Sequence, residues 1–544
     1  ERMEYRLISS LDKVFPDRQL SGVSAPLLTA LQGETVSLQL AAKNAEGTAV
    51  LWPQAQSPLG ERVHIRRVES VPVRMPRVEG AYDENYLSIQ PGLYPDLLLE
   101  LGECPWILPQ GQWRALWIEI DTAGLAPGEY PLALTLREEG GAAPIQAECA
   151  VRVLAAALPK EHLLHTEWFH ADCLADYYQV PAWSEKHWEI VERFVRAAVR
   201  RGCTMLLTPH FTPALDTRVG GERTTVQLVE VAAEGDAYRF DFSRLKRWVD
   251  MARRCGVEQL EMSHLFTQWG AKAAPKVMAL KEGRLIRLFG WDTPAVGGEY
   301  TRFLHAYLPQ LIAQLRAWGV ADRVYFHISD EPSEEQLESY QAAKRSVEGL
   351  LEGFPIMDAL SDYSIFQQSG IQRPVVCVHH LQPFLDRQVS PLWGYYCCAP
   401  DKGATNRFLF MPLARARVMG VQFWKYRLQG FLHWGYNFYN TFHSLAHVDP
   451  HLDTEAGGVL PAGDSFVVYP GRDGAPEESM RLMVMQEAMQ DYRALCLLEQ
   501  RIGREKTLKV LEAEGEITLN RFPARSADFL RLRARMNAAL EESI

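Results

Sequence analysis

The stretch "RVYFHISDEPSEEQLESY", residues 323–340, contains a strand, a loop and the start of a helix. Its apolar run ends on two consecutive acids, Asp330 and Glu331, and Pro332 follows them. Proline has no backbone N–H and fixes its own φ, so the strand has to end there before a helix begins. The stretch therefore predicts a strand–loop–helix unit that carries two adjacent carboxylates in its loop.

Similar apolar runs alternate with helical patterns between about residues 160 and 440. Eight such runs occur, at 163–170, 204–210, 259–266, 323–331, 355–361, 375–380, 392–398 and 431–438. Eight strand–helix repeats over this length predict a (β/α)8 TIM barrel. The alternative is an open doubly wound sheet, but no glycine-rich phosphate fingerprint follows the first strand, which disfavours a dinucleotide fold.

The segments on either side of the barrel have different patterns. Strand-length runs fill residues 1–158, and in one of them Val36, Leu38 and Leu40 alternate with polar residues, which predicts a β-sandwich domain. Residues 476–544 read as helical. We therefore predict a multi-domain α/β protein, with a β-sandwich at 1–158, a catalytic barrel at 159–475 and a small C-terminal helical segment at 476–544.

Composition excludes several classes of function. The 544 residues carry a net charge of −11, which argues against non-specific binding to nucleic acid or to anionic membranes. No run of about 18 apolar residues predicts a membrane span, and the first residues lack a signal-peptide pattern. The 9 cysteines are odd in number and scattered, as reduced thiols are in cytoplasmic proteins. We expect a cytoplasmic protein, unless a signal has been trimmed, and the oligomeric state stays open.

Polar and aromatic residues gather where the predicted barrel strands end. The candidates for substrate binding are His264, Asp358, Trp393, Tyr395, Tyr396, His433, Trp434 and Asn437. In a TIM barrel the carboxyl ends of the strands and the loops that follow them form the active site. Aromatic rings there are suited to stacking on sugar rings, although each one alone is more often part of a core.

The two acids fit the same rim. Tyr325, His327 and Ser329 share the face predicted to point into the barrel, and Glu331 continues that phase. Asp330 would point outward in a regular strand, but a strand that ends at 330–331 lets both carboxylates face the pocket. When two carboxylates lie this close, the pKa of one of them rises. A carboxyl group with a raised pKa keeps its proton near neutral pH and can act as a general acid. The competing interpretation is a helix start, where acids favour the helix dipole.

Other catalytic chemistries lack a motif. His379, His380 and Asp358 show no recognised metal-ligand spacing, and no GxSxG nucleophile elbow occurs. We therefore predict that the protein needs neither a metal nor another cofactor. Paired carboxylates among aromatic residues favour glycoside hydrolysis.

Three stretches carry a resemblance to a known family. They are "HISDEP" (327–332), "FLHWGYNFYN" (431–440) and "GDSFVVYPG" (463–471). Together with the predicted sandwich and barrel they resemble glycoside hydrolase family 123, over most of residues 1 to about 500. Characterised members of that family are β-N-acetylgalactosaminidases that work by substrate-assisted retention, which implies the same fold and activity here.

The resemblance also implies roles for individual residues. Glu331 would be the general acid and base, and Asp330 would hold the acetamido nitrogen and stabilise the oxazolinium ion. Tyr395 or Tyr396 would hold the acetamido oxygen, and Trp434 would form the floor under the sugar. The implied reaction is the removal of terminal β-linked N-acetylhexosamine, with a carbohydrate as the partner.

Two alternatives stay open at this stage. One is a glycosidase that acts on another sugar and uses Asp330 or Glu331 as a direct nucleophile. The other is a carbohydrate-binding protein that has lost catalysis, against which the intact acid pair argues.

Overall fold

A computed structural model describes residues 2–76, 83–141 and 143–544. The region before residue 158 is rich in β-structure, as predicted. Its strands are β1 Met3–Ser9, β2 Leu27–Gln32, β3 Thr35–Asn44, β4 Ala49–Gln56, β5 Val63–Val73, β6 Gly92–Glu100, β7 Trp106–Leu108, β8 Trp113–Asp121, β9 Gly128–Glu138 and β10 Ile145–Ala157. They form two five-stranded sheets, in the orders β1-β3-β8-β5-β6 and β2-β10-β9-β4-β7.

The two sheets share one apolar core. Leu38 of β3 and Ile118 of β8 come from the first sheet, and Leu134 of β9 and Val151 of β10 come from the second. All four side chains are buried, and within each strand they alternate with residues that face away from this core. Burial of one face of each sheet thus explains the period-2 pattern in the sequence.

Eight parallel strands form a nearly closed barrel. They are β11 Leu164–Glu167, β12 Met205–Thr208, β15 Gln259–Met262, β18 Val324–Tyr325, β19 Met357–Ala359, β20 Arg373–Cys377, β21 Trp393–Tyr395 and β22 Gly430–His433. Every one of them overlaps one of the eight predicted runs, and six lie wholly within theirs; β20 and β22 begin two residues and one residue earlier. The sheet order is β18-β15-β12-β11-β22-β21-β20-β19. A single parallel bridge, between Phe326 and Ile356, joins the two end strands and brings the barrel close to closure.

Helices cover the outside of the barrel. They are α1 Ala171–Tyr178, α2 Glu185–Arg200, α3 Ser243–Cys255, α4 Glu299–Ala317, α5 Leu337–Val347, α6 Tyr363–Ser369, α7 Gln382–Asp386, α8 Ala414–Arg417 and α9 Met419–Lys425. Val324, Phe326 and Ile328 pack outward in the same core as residues of α4 and α5, whereas Tyr325 packs inside the barrel with Trp393. This is the register that the alternation in residues 324–329 predicts.

Two loops of the barrel carry a small sheet that the repeat pattern did not predict. Its strands are β13 Glu230–Glu234, β14 Ala237–Asp241, β16 Val277–Lys281 and β17 Arg284–Phe289, in the order β14-β13-β16-β17. The first two follow β12 and the last two follow β15, so the sheet joins two long loops at the carboxyl end of the barrel. A further hairpin pairs β23 Val468–Pro470 with β24 Pro476–Glu478.

The C-terminal segment is helical, in agreement with the sequence pattern. It contains α10 Met480–Ile502, α11 Arg504–Leu511 and α12 Ser526–Glu542. These helices contact both neighbouring regions: Arg417 of α8 bonds Glu487 of α10, and Arg533 of α12 bonds Glu34 beside β3. The proposed domain limits at 158 and 475 remain predictions. Over the described residues, helices that combine enough length and hydropathy to cross a membrane are absent.

Candidate active site

A cavity of about 220 Å³ opens at the carboxyl ends of the barrel strands. Residues from several loops and strand ends line it. They are Trp168, Asp216, Gln268, Trp269, Asp330, Glu331, Ala359, Tyr395, Cys397, Cys398, Leu432, Trp434, Phe438, Phe442, His443, Leu460 and Asp464. The cavity thus combines carboxyl groups with aromatic rings, and both members of the adjacent acid pair face it.

A strained backbone places Glu331 in the cavity. Glu331 has φ +41, in the left-handed region that costs a side-chain-bearing residue roughly 1–2 kcal/mol. Its N–H donates to the carbonyl oxygen of Ala359 at 3.1 Å, which ties the turn to the end of β19. The turn redirects the chain just before Pro332, so consecutive side chains no longer alternate. This reversal is how Asp330 and Glu331 reach the same cavity.

Each acid of the pair has its own hydrogen-bond partner. The Tyr395 hydroxyl donates to Oε1 of Glu331 and also lies 3.1 Å from the Ser361 hydroxyl. The amide nitrogen of Gln268 donates to Oδ2 of Asp330 at 3.1 Å. The two carboxyl groups are therefore held by separate partners, Tyr395 at the end of β21 and Gln268 in the loop after β15.

The electrostatics of the pair favour a bound proton. Burial raises the pKa of Asp330 well above its usual value, and the neighbouring carboxylate of Glu331 raises it further. The hydrogen bond from Gln268 opposes the rise without cancelling it. A pair that holds one proton contains a proton donor and a carboxylate at the same time, as acid–base chemistry on a sugar requires.

Two further carboxyl groups lie in the cavity wall. Burial raises the pKa of Asp216 to about 6 and that of Asp464 to about 7. Oδ2 of Asp464 accepts a hydrogen bond from Nε1 of Trp434 at 3.2 Å, whereas Oδ1 has no hydrogen-bond partner among the described residues. The backbone N–H of Asp216 donates to Oε1 of Gln268 at 2.8 Å, which fixes the amide that holds Asp330.

A buried network supports the acid pair from below. Nε2 of His327 lies 2.6 Å from Glu261, and Nδ1 lies 3.2 Å from Asp358. Burial would lower the pKa of His327, but the hydrogen bonds to Asp358 and Glu261 raise it to about 10, so the ring is charged at neutral pH. Asp358 also accepts the backbone N–H groups of Ile328 and Ser329, each at 3.1 Å. The network thereby fixes the chain that leads to Asp330.

The same network contains a group with metal-ligand atoms. Ligand atoms of His264, His327 and Asp358 lie within 4.8 Å of one another. Both ring nitrogens of His327 are occupied as donors to carboxylates, so neither has a lone pair for an ion. The rings of His264 and His327 stack at 4.2 Å, and burial lowers the pKa of His264 well below its usual value. The donor set fits a neutral imidazole beside an imidazolium and does not fit a metal ligand shell.

Four of the residues predicted for the site line the cavity. They are Asp330, Glu331, Tyr395 and Trp434. The other six lie behind its wall. His264 and Asp358 belong to the buried network, and Trp393 packs inside the barrel with Tyr325.

The remaining three of those six have partners in the surrounding core. The Tyr396 hydroxyl donates to the sulfur of Met485 on α10 at 3.3 Å. Nδ1 of His433 accepts the N–H of Gly435 at 3.0 Å. The side-chain amide of Asn437 brackets the backbone of His170, accepting its N–H at 2.8 Å and donating to its carbonyl at 3.2 Å. A role of Tyr396, His433 and Asn437 in substrate binding stays a prediction. Any effect of these residues would act through the residues that line the cavity.

The lining residues that sequence reasoning missed include Asp216, Gln268, Trp269 and Asp464. Asp464 lies within "GDSFVVYPG", one of the stretches that carried the resemblance, and that stretch was the available signal. The other three lie in long loops after β12 and β15, where no periodic pattern marks a residue as facing the cavity.

Comparisons with known proteins indicate the family of the chain. The family model described as "Glycoside hydrolase 123, catalytic domain" matches residues 168–498, which include the whole barrel after its first strand and most of α10. No curated relative matches the chain.

Solved structures show a similar fold. A family 123 glycoside hydrolase from Clostridium perfringens, studied for glycolipid glycan hydrolysis, aligns over 100% of this chain and 98% of its own, with a TM-score of 0.75 and 13% identity. A β-glucuronidase from Parabacteroides merdae aligns over 89% of this chain and 52% of its own, with a TM-score of 0.33 and 10% identity. The first of these likenesses shows the fold, and the family model covers more than half of the chain. The chain belongs to glycoside hydrolase family 123.

Proposed function

We propose that this glycoside hydrolase removes terminal β-linked N-acetylhexosamine, with N-acetylgalactosamine as the sugar, and that it retains configuration by substrate-assisted catalysis. The observation that carries the proposal is the pair of adjacent carboxyl groups, Asp330 and Glu331, which share one cavity but have separate hydrogen-bond partners. One acid has to reach the glycosidic oxygen and its neighbour the acetamido group of the same sugar. Adjacent residues on a reversed turn meet both demands.

In the proposed reaction the substrate supplies the nucleophile. With substrate bound, the single proton of the pair has to lie on Glu331, with Asp330 ionised. Glu331 then protonates the leaving oxygen while the acetamido oxygen attacks the anomeric carbon and forms an oxazolinium ion. Asp330 accepts the acetamido N–H and stabilises the positive charge that develops there. Glu331 then takes a proton from a water molecule whose oxygen attacks the anomeric carbon. The bond from that carbon to the acetamido oxygen breaks, the acetamido group is restored, and the sugar leaves with its original configuration.

The lining residues suit these steps. The Tyr395 hydroxyl donates to Glu331 in the free protein and lies close enough to the pair to hold the acetamido oxygen once a substrate is bound. Trp434 offers an apolar ring face, and its Nε1–H is fixed on Asp464. Phe438 and Leu460 add apolar surface to the lining of the same cavity.

The substrate class is also a proposal. The Clostridium perfringens enzyme with the similar fold was studied in the hydrolysis of glycolipid glycans. We propose short glycans of that kind, with a terminal N-acetylgalactosamine, as substrates for this protein.

A second candidate mechanism uses a protein carboxylate as a direct nucleophile on another sugar. The observation that favours it is the presence of two more carboxyl groups, Asp216 and Asp464, in the same cavity. The two mechanisms differ in the intermediate. A thiazoline analogue of the oxazolinium ion should inhibit only the substrate-assisted enzyme, and a fluoro-sugar should trap a covalent adduct only on the direct one.

Two substitutions separate the roles of the acids. Glu331→Gln should lower kcat/KM for a natural disaccharide by about 10²- to 10⁴-fold, the usual value of general acid–base catalysis. The loss of kcat/KM in Glu331→Gln should be much smaller with a p-nitrophenyl glycoside, because that leaving group needs little protonation. Asp330→Asn should slow both substrates by similar factors, because cyclisation comes before any difference in leaving group.

The matched control is Glu334→Gln, since Glu334 is exposed on the same segment outside the cavity and should not affect either substrate. Strong thiazoline inhibition of the wild type and weak inhibition of Asp330→Asn is the expected pattern. A covalent adduct of a fluoro-sugar on any of the four carboxyl groups would replace the proposed mechanism with the direct one.

A further inference from the structure

Four aromatic residues form a continuous surface at one edge of the cavity, called here the aromatic shelf: Trp269, Trp291, Phe442 and His443. The rings of Trp269 and Trp291 are nearly parallel, at 24° and 6.0 Å between centroids. His443 lies edge-on to Trp269 at 5.5 Å and stacks on Phe442 at 3.8 Å. Trp269, Phe442 and His443 line the cavity, whereas Trp291 lies beyond its lining. The shelf therefore leads from the cavity outward.

The backbone that presents Trp269 is strained. Trp269, Gly270 and Ala271 all have positive φ, at +61, +98 and +54. A Cβ on Gly270 would lie 2.8 Å from the hydroxyl oxygen of Ser339, so glycine is required at this position. On the neighbouring loop His443 and Ser444 have φ +59 and +55. Strained residues of this kind cluster at ligand-binding sites.

The loop of Trp291 is fixed to the loop of Trp269. The N–H of Ala274 donates to the carbonyl of Thr293 at 3.0 Å, and the N–H of Ala295 donates to the carbonyl of Lys272 at 3.1 Å. Nε1–H of Trp291 donates to the carbonyl of Gly221 at 3.0 Å. The shelf is therefore held in place before any ligand arrives, which lowers the ordering cost of binding.

The rings remain accessible in this arrangement. Trp269 and Trp291 are both partly exposed, and the ring N–H of Trp291 is already bonded, so that its remaining capacity for contact lies in its apolar face. Large aromatic rings with one apolar side open to solvent are typical of binding surfaces. The C–H face of a pyranose is a matching partner for such a ring.

The size of the cavity indicates which sugar lies on the shelf. At about 220 Å³ it is smaller than the roughly 300–1,000 Å³ of common ligand pockets, so the terminal sugar fills it. A second ring has to lie outside, along the surface that continues the cavity wall. We propose that the aromatic shelf is the subsite for the sugar on the leaving-group side, stacked against Trp269 and Trp291. This rests on the proposed function and narrows the substrates to those with a pyranose next to the cleaved bond.

The test compares two substrates on Trp291→Ala. One is a β-linked N-acetylgalactosaminyl galactoside, which has a pyranose on the leaving side, and the other is N-acetylgalactosaminyl azide, which has none. Burying an aromatic side chain contributes about 1.5–3 kcal/mol, and a partly covered ring lies at the lower end. We expect kcat/KM for the disaccharide to fall about 10-fold and kcat/KM for the azide to stay within twofold of the wild type. Trp52→Ala is the matched control, since Trp52 is an exposed tryptophan on β4, and it should change neither value.

The outcomes separate this proposal from the proposed function. Equal losses on both substrates, or no loss on either, would overturn the shelf as a leaving-side subsite. A wild type that cleaves neither substrate contradicts the proposed function instead. In that case binding of the disaccharide, measured by titration of tryptophan fluorescence, tests the shelf. The same dissociation constant for the wild type and Trp291→Ala would refute it.

Discussion

At the scale of single residues, the buried carboxyl of Asp464 gives a prediction about pH. Its pKa is raised to about 7 by burial, so the native state holds a proton that the unfolded chain releases near pH 4. The stability it contributes is complete below the unfolded pKa and is lost as pH rises to about 7. Asp464→Asn cannot titrate, so we expect its melting temperature, relative to the wild type, to be higher at pH 8 than at pH 5. The exposed Asp236 offers the control substitution, and a pH-independent difference would contradict the assignment.

His327 gives a second prediction, concerning metals. Both of its ring nitrogens donate to carboxylates, so the site below the acid pair is built to hold a proton. We expect overnight treatment with EDTA to leave activity unchanged. A loss of activity that one divalent ion restores would show instead that His264, His327 and Asp358 hold that ion.

Residue by residue, the sequence predicted the site only where a strand reached it. The alternation in residues 324–329 gave the correct faces of β18, and the acid pair was found because it follows that strand directly. The left-handed φ of Glu331 was not predictable, because it depends on the hydrogen bond to Ala359, which is distant in sequence. Asp216 and Asp464 were missed for a related reason, since tertiary folding alone brings their loops to the cavity.

At the scale of elements, Asp358 on β19 holds the end of the neighbouring chain segment. It accepts two backbone N–H groups, a ring N–H of His327 and the hydroxyl of Tyr340. Asp358→Ala should destabilise the protein by about 3–5 kcal/mol, the usual cost of leaving a buried charge without its partner. It should also lower kcat, because residues 328–331 lose their anchor.

Tyr340→Phe provides the matched control for Asp358→Ala. It removes one donor and leaves the ion pair, so about 1 kcal/mol of destabilisation is expected. Urea unfolding and kcat/KM measure the two effects. Equal stability of Asp358→Ala and the wild type would contradict the anchoring role.

Elements with strong periodic patterns were predictable and short inserted elements were not. All eight barrel strands and α10 coincide with apolar patterns in the sequence. The sheet formed by β13, β14, β16 and β17 was missed because its strands are exposed on one face and lie in two separate loops. Strand pairing between distant loops leaves little trace in a local pattern.

At the scale of the whole molecule, buried ion pairs join the N-terminal sheets to the rest of the chain. Arg481 of α10 bonds Asp96 of β6 at 2.9 Å through two nitrogens, and both side chains are fully buried. Arg201, just after α2, bonds Glu478 and Glu119. Removing the sheets would leave Arg481 without Asp96 and Arg201 without Glu119, either buried or on a newly exposed apolar face.

Residues 159–544 alone should therefore be insoluble or much less stable than the full chain. Soluble yield and thermal melting measure this directly. A soluble 159–544 fragment with full activity would show that the N-terminal sheets are dispensable.

The ion pair between Glu34 and Arg533 also has a consequence for the time course of biosynthesis. Glu34 leaves the ribosome early, and its partner is made 499 residues later. At about 5–20 residues per second, that interval is roughly 25–100 s. Through that interval the N-terminal sheets of the nascent chain carry the carboxylate of Glu34 before its partner Arg533 has been synthesised. The same holds for Asp96, whose partner Arg481 is also made later. The packing of α12 against the N-terminal sheets is thus delayed by at least this interval after the sheets are synthesised.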